Sequence, residues 1–174
     1  MEREFQRPPE DEELIFTRYI KKVPGVDFLA VLQKNHSECL AMFRAWSQTQ
    51  WNSRYAPDKW SLKEVILHII GTERIFAYRA LRIARHDLTP LPGFSQDDYI
   101  PYLYADQRSN TSVIEEYNDT RKATISLFRN LPDEAMLFTG TAADFPLTPL
   151  SIGFIIAGHE IHHLEIIREK YLSR

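Results

Sequence analysis

Two histidines one helical turn apart, His159 and His163, and a third on a separate apolar segment, His68, are the residues whose types and spacing could do chemistry. Each residue advances about 100° around a helix. With His159 at zero, Ile152, Ile155, Ile156, Ile166 and Ile167 fall between about −40° and +80°, and His163 falls at about +40°. Both rings therefore lie in an isoleucine stripe that should face an interior. Imidazoles at i and i+4 stand one above the other, so two ring nitrogens can reach one ion at about 2.0–2.1 Å. Two ligands rarely hold a metal inside a protein, and a third must come from a facing helix. His68, set among Val65, Ile69, Thr72 and Ile75, is the candidate, because a lone neutral histidine on that face would need a hydrogen-bond partner. A single histidine is usually an ordinary core or surface residue. Three on apolar faces predict one divalent transition metal; imidazoles suit Zn, Ni or Fe alike. Three imidazoles leave a position for water or substrate, so such an ion could acidify water or form a thiolate.

The other candidates are weaker. His162 falls at about −60°, on the stripe's edge beside Glu165 and Glu169, and is expected to support the site or face solvent. His36 and His86 stay outside the site, His86 at a helix C-terminus where the dipole favours a cation. Cys39 is the only cysteine, so an intramolecular disulfide is impossible, and it is expected to pack as a small apolar residue. A net charge of −3 gives no electrostatic footprint for a nucleic acid. The Lys21-Lys22 doublet reads as a solvated face. No apolar run approaches the roughly 20 residues of a membrane span, and the N-terminus lacks a signal peptide's apolar core. The expected location is cytoplasmic.

Four long helices must position the histidines. Asp27 can cap the first, to about residue 48; Ser61-Leu-Lys-Glu64 is a capping box opening the second, to about residue 85. Ser112-Val-Ile-Glu115 reads as a capping box for the third, to about residue 130, and Thr148-Pro149 as cap and first position of the fourth, to about residue 171. Residues 1–25 read as an arm with one short helix, residues 49–59 as an aromatic loop, and residues 131–134 as one short turn. Between the second and third helices, Pro90, Pro92, Gly93 and Pro101 interrupt any helical period over about residues 86–111. That long crossover can span the bundle, so the two helices it joins need not be an antiparallel hairpin. The expectation is one all-α domain over residues 1–174, a four-helix bundle with a short N-terminal helical arm.

The run Tyr55-Ala-Pro-Asp-Lys-Trp60-Ser-Leu-Lys-Glu64, His68 followed by Thr72-Glu73-Arg74, Phe76-Ala-Tyr-Arg79, Leu91-Pro-Gly-Phe94 and Gly158-His159-Glu-Ile-His-His163 resembles the DinB-like superfamily of metal-dependent enzymes, which includes the YfiT proteins. The likeness extends from the arm to Tyr171. It implies a four-helix bundle of unusual connectivity, often a homodimer, with a three-histidine site for nickel, zinc or a similar ion at His68, His159 and His163. Relatives include S-transferases and isomerases using a low-molecular-weight thiol, and hydrolases. Many carry Asp three residues after the first histidine, where this chain has Gly71. Glu73 lies about 140° from His68 and is expected to partner Arg74, Arg79 or a helix terminus. The resulting expectation is a metal-dependent transferase or hydrolase acting on a small-molecule substrate. The alternative is a metal-dependent small-molecule binding or stress-response protein without turnover, and a third reading makes the metal purely structural.

Overall fold

The computed structural model describes residues 6–10 and 14–173. Residues 1–5 and 11–13 of the expected arm, and residue 174, lie outside the described residues. The arm contributes a single turn, α1 (Thr17–Ile20). Asp27 accepts a hydrogen bond from the Ala30 N–H at 2.9 Å and opens α2 (Phe28–Ala45). The aromatic loop contains a short helix, α3 (Gln48–Asn52), which buries Trp51. Ser61 and Glu64 cap α4 (Leu62–Ala84) reciprocally: the Ser61 hydroxyl accepts from the Glu64 N–H, and the Glu64 carboxylate accepts from the Ser61 N–H at 2.7 Å. Such a cap contributes about 1 kcal/mol and fixes the register of the helix that carries His68.

The crossover holds only a short turn, α5 (Gln96–Tyr99), and two 3-10 turns. The third long helix, α6 (Asn110–Arg129), begins earlier than the Ser112 capping box predicts. Ser109 is the actual cap, and its hydroxyl accepts from the Ser112 N–H at 3.1 Å. After α7 (Asp133–Leu137), strands β1 (Gly140–Ala142) and β2 (Phe145–Leu147) form an antiparallel hairpin not expected from the sequence. Its two turn residues, Ala143 and Asp144, have φ of 52° and 67°. Type I′ turns demand that left-handed backbone and usually signal it with Asn-Gly, a signal absent here. Thr148 and Pro149 then open α8 (Pro149–Ile166), which continues as a π turn through Tyr171.

Side-chain pairs give the helix directions. Lys63 reaches the Arg108 carbonyl, Arg74 reaches Glu116 and Thr120, and Ala77 and Leu81 flank Ala123 and Leu127. Both series rise together, so α4 and α6 run parallel, and the crossover must carry the chain back along the bundle. In contrast, Phe28 meets Phe128 while His36 meets Asn118, so α2 and α6 are antiparallel. The principal neighbours are α4 with α8 and α6, and α2 with α6 and α8. Among the described residues no helix is long and apolar enough to cross a membrane.

The core is divided by a polar layer at one level of all four long helices. Below and above it lie two apolar clusters, one around Phe28, Phe76, Phe128 and Phe154, the other around Phe43, Ile66, Tyr117 and Leu164. The layer consists of Asn35 on α2, His68, Thr72 and Glu73 on α4, Arg121 on α6, and His159, Glu160 and His163 on α8, all buried. Arg121, 0% exposed, is its hub. Its guanidinium donates to both Glu73 oxygens at 3.0 and 2.8 Å, to both Glu160 oxygens at 3.0 and 2.7 Å, and to the Leu32 carbonyl at 3.2 Å. Tyr117 and Asn35 donate further to Glu160 at 2.7 and 3.0 Å. One side chain thus ties four helices, with donors and acceptors matched as burial requires. Burial alone would lower the Arg121 pKa, but the Glu160 and Glu73 carboxylates outweigh it and hold it well above the usual range.

Candidate metal centre

The helices α4 and α8 bring His68, His159 and His163 to one point. The Nε2 atom of His159 lies 3.1 Å from Nε2 of His68 and 3.1 Å from Nε2 of His163. All three rings are buried, their centroids 4.5 to 5.0 Å apart. A proton on His159 Nε2 would have to be split between two acceptors, a weak three-centre arrangement. A cation would instead satisfy three lone pairs at once. Nitrogens that each stand about 2.0–2.1 Å from one ion are separated from one another by about 3 Å, which is the spacing found here. The residues therefore fit a divalent transition metal, and among the described residues no other group of three or more His, Cys, Asp or Glu side chains has this closeness.

The surroundings hold the rings in place. Thr72 lies one turn after His68, and its hydroxyl is 3.4 Å from the His68 Nδ1, the nitrogen facing away from the cluster. A hydrogen bond there fixes the tautomer that leaves Nε2 free, the role carboxylates and carbonyls play behind many metal-binding histidines. Trp60 packs on His68 and Tyr19 on His159, with centroids 5.0 and 5.3 Å apart. Tyr19 can approach because Gly158 has no side chain: a Cβ there would stand 1.9 Å from the Tyr19 carbonyl oxygen. The glycine beside His159 thus lets α1 seal the site.

Burial lowers the His68 pKa to about 4 and, aided by His68, His162 and Arg18, the His163 pKa to about 3. Burial, followed by His163 and His68, also places His159 well below its ordinary value. At neutral pH the three rings are uncharged and ready to coordinate. In the metal-free protein this sets a pH dependence. The unfolded rings take up protons near pH 6.5 while the folded ones resist, so the contribution to stability is complete above that value. It should be lost as pH falls from about 6.5 toward about 4 and 3, by several kcal/mol in total. His36 and His162, also lowered chiefly by burial, act in the same direction. Urea denaturation of chelator-treated protein at about pH 7.5 and 4.5 measures this, and an unchanged midpoint would contradict it.

Glu73 partners Arg121, not Arg74 or Arg79: Arg74 pairs with Glu116 at 2.6 Å and Arg79 donates to the Pro92 carbonyl. Its wheel position already turned it away from His68, toward α6. His162 is half-buried, its ring 5.7 Å from Tyr19 and 5.1 Å from His163, outside the convergent set. His36 bonds Asn118 at 3.1 Å, and His86 stacks on Phe138. Cys39 is buried, and burial pushes its thiol up to about 12, as a packed residue and not a nucleophile. The isoleucine stripe is less discriminating than the wheel implies, because every residue over 149–160 of α8 is buried.

A cavity of about 230 Å³ opens on the cluster and includes His159 and Thr72 in its wall, together with Tyr19, Phe76, Arg79 and Phe94. A larger one, about 680 Å³, lies between the arm and the hairpin and touches none of the three histidines; convergent polar groups, not size, decide for the smaller.

A family model for the DinB superfamily matches residues 32–167. The chain belongs to the DinB superfamily. No curated protein matches it. Among solved structures, this DinB-superfamily chain is similar to YfiT from Bacillus subtilis, reported as a probable metal-dependent hydrolase with an unusual four-helix bundle topology. The two share 15% identity over 81% of this chain and 84% of that chain, with a TM-score of 0.69. That likeness establishes the four-helix bundle, and the parallel α4–α6 pair joined by a long crossover is this chain's own departure from a simple up-down arrangement.

Proposed function

We propose that this DinB-superfamily protein is a metal-dependent enzyme in which His68, His159 and His163 hold one Zn, Ni or Fe ion and a low-molecular-weight thiol is transferred to an electrophilic small molecule. The convergence of three Nε2 atoms beside a cavity carries the reading. When bound, the ion supplies Lewis acidity toward a sulfur or oxygen of the substrate. The chain orients the rings through Thr72, Trp60 and Tyr19 and excludes water with Phe76 and Phe94.

Hydrolysis needs a general base to take a proton from water, ideally within hydrogen-bond reach. Among the described residues the cavity wall contains no carboxylate, and its one imidazole is His159, one of the three. Glu73 and Glu160 are committed to Arg121. An ion held by the three rings would bring bound water only to a pKa of about 7, whereas a coordinating thiol, starting near 8.5, would be deprotonated outright, so thiol transfer asks least of these residues. In that reaction the thiol loses its proton, sulfur bonds to the electrophilic carbon, and the leaving group departs with its electron pair. Hydrolysis is the second reading, supported by the description of YfiT.

Metal-loaded protein assayed with a panel of thiols and electrophiles, and separately with esters, should turn over the thiol pairs and stop with chelator. Turnover of esters alone would favour hydrolysis. No metal-dependent turnover in either panel would leave a binding or stress-response protein.

A further inference from the structure

Among the described residues the cavity beside the histidines is electrically one-sided: the two charged side chains that line it, Arg18 and Arg79, are both cations, and no described carboxylate faces them there. Buried arginines are normally paired, as Arg121 is. Arg79 is 2% exposed, yet among the described residues no carboxylate forms an ion pair with it. Its guanidinium gives one Nη2 hydrogen to the Pro92 carbonyl at 2.6 Å and lies over the rings of Phe76 and Phe94, 4.9 and 5.6 Å from their centroids. The remaining N–H groups have no acceptor among the described residues.

Arg79 also stands on the same face of α4 as His68. Eleven residues on, it is displaced by only about 20° around the helix and about 16 Å along it. Thr72 and Phe76 fill the interval on the same side, and the side chain of Arg79 leans back toward them. A ligand reaching both Arg79 and the histidines must be elongated, and a volume of about 230 Å³ restricts it to a small metabolite.

We infer that this cavity takes an elongated small acid whose carboxylate is held by Arg79 between Phe76 and Phe94 while its other end meets the three-histidine site. With one Nη2 hydrogen given to Pro92, a single two-pronged edge of the guanidinium is left. That suits a planar carboxylate, accepting two parallel N–H···O bonds. A phosphoryl group is usually gathered by several donors, and the wall adds no lysine. Arg18, exposed at the mouth with its guanidinium over Tyr19, adds long-range attraction for an anion. This inference rests on the metal reading above.

The test uses Co(II)-loaded protein, whose visible absorption reports thiolate coordination, titrated with ω-mercapto acids of three to eight carbons and the matching mercapto alcohols. At the best length the acid should bind about tenfold tighter or more. In Arg79→Gln that advantage should largely vanish, the acid losing far more affinity than the alcohol. Arg79→Lys, which keeps the charge but not the fork, should recover only part of it, and it decides the matter if Arg79→Gln does not fold. Equal binding of acid and alcohol at every length, or a preference untouched in the variants, would overturn the inference alone. Failure to load with Co(II), or a spectrum no thiol alters, would overturn the metal reading and the inference with it.

Discussion

Arg121→Met is expected to destabilise the protein by about 4 kcal/mol or more, a large part of the whole stability of a typical domain. Methionine preserves much of the volume, so the loss is electrostatic. Glu73 and Glu160, 3% and 1% exposed, would keep their place in the core without the cation that donates to all four of their oxygens. Removing one member of a buried pair commonly costs 3–5 kcal/mol, and here two carboxylates are orphaned. Chemical denaturation measures the loss, and combining Arg121→Met with Glu73→Gln and Glu160→Gln should restore a substantial part of it, because neutral amides tolerate the same pocket better. A midpoint of Arg121→Met close to wild type would show that the hub is dispensable.

His159→Ala is expected to lower metal affinity by at least about a hundredfold, beyond what loss of an outer supporting group produces. Its Nε2 is the shared vertex of the cluster, 3.1 Å from each of the other two. Without it only two imidazoles remain, too few for a tight site. His162→Ala, which removes a ring adjacent in sequence but outside the set, should keep the ion. Metal content after dialysis, with competition by a chromogenic chelator, separates the two, and equal retention in both variants would contradict the assignment.

The convergence of the histidines was legible because its signal is local. An i, i+4 pair in an apolar helix fixes two rings from spacing alone, and a capping box fixes the register of the helix bearing the third. The arm, the crossover and three of the four long-helix caps were visible for the same reason. What escaped depends on partners distant in sequence. Arg121 meets Glu73 and Glu160 across 48 and 39 residues, and an arginine on an amphipathic helix reads as surface until its neighbours are known. A hint was present in Glu160, a carboxylate within a helix whose other residues over 149–159 are all buried. The hairpin was hidden because Ala143 and Asp144 adopt left-handed backbone without glycine or asparagine to announce it. The sequence offers Arg79 only as one of three partners for Glu73, with Arg74 and a helix terminus, because the cavity it lines forms only when the crossover folds back: Leu91 bonds to Thr141 and Ala143 of the hairpin and sets Gly93 and Phe94 beside it.

X-ray absorption of the zinc- or nickel-loaded protein examines the three-histidine site at the atoms that define it. One ion per chain, with about three imidazole nitrogens at roughly 2.0–2.1 Å, is the expected result. An ion bound without imidazoles, or none retained at stoichiometric level, would contradict it.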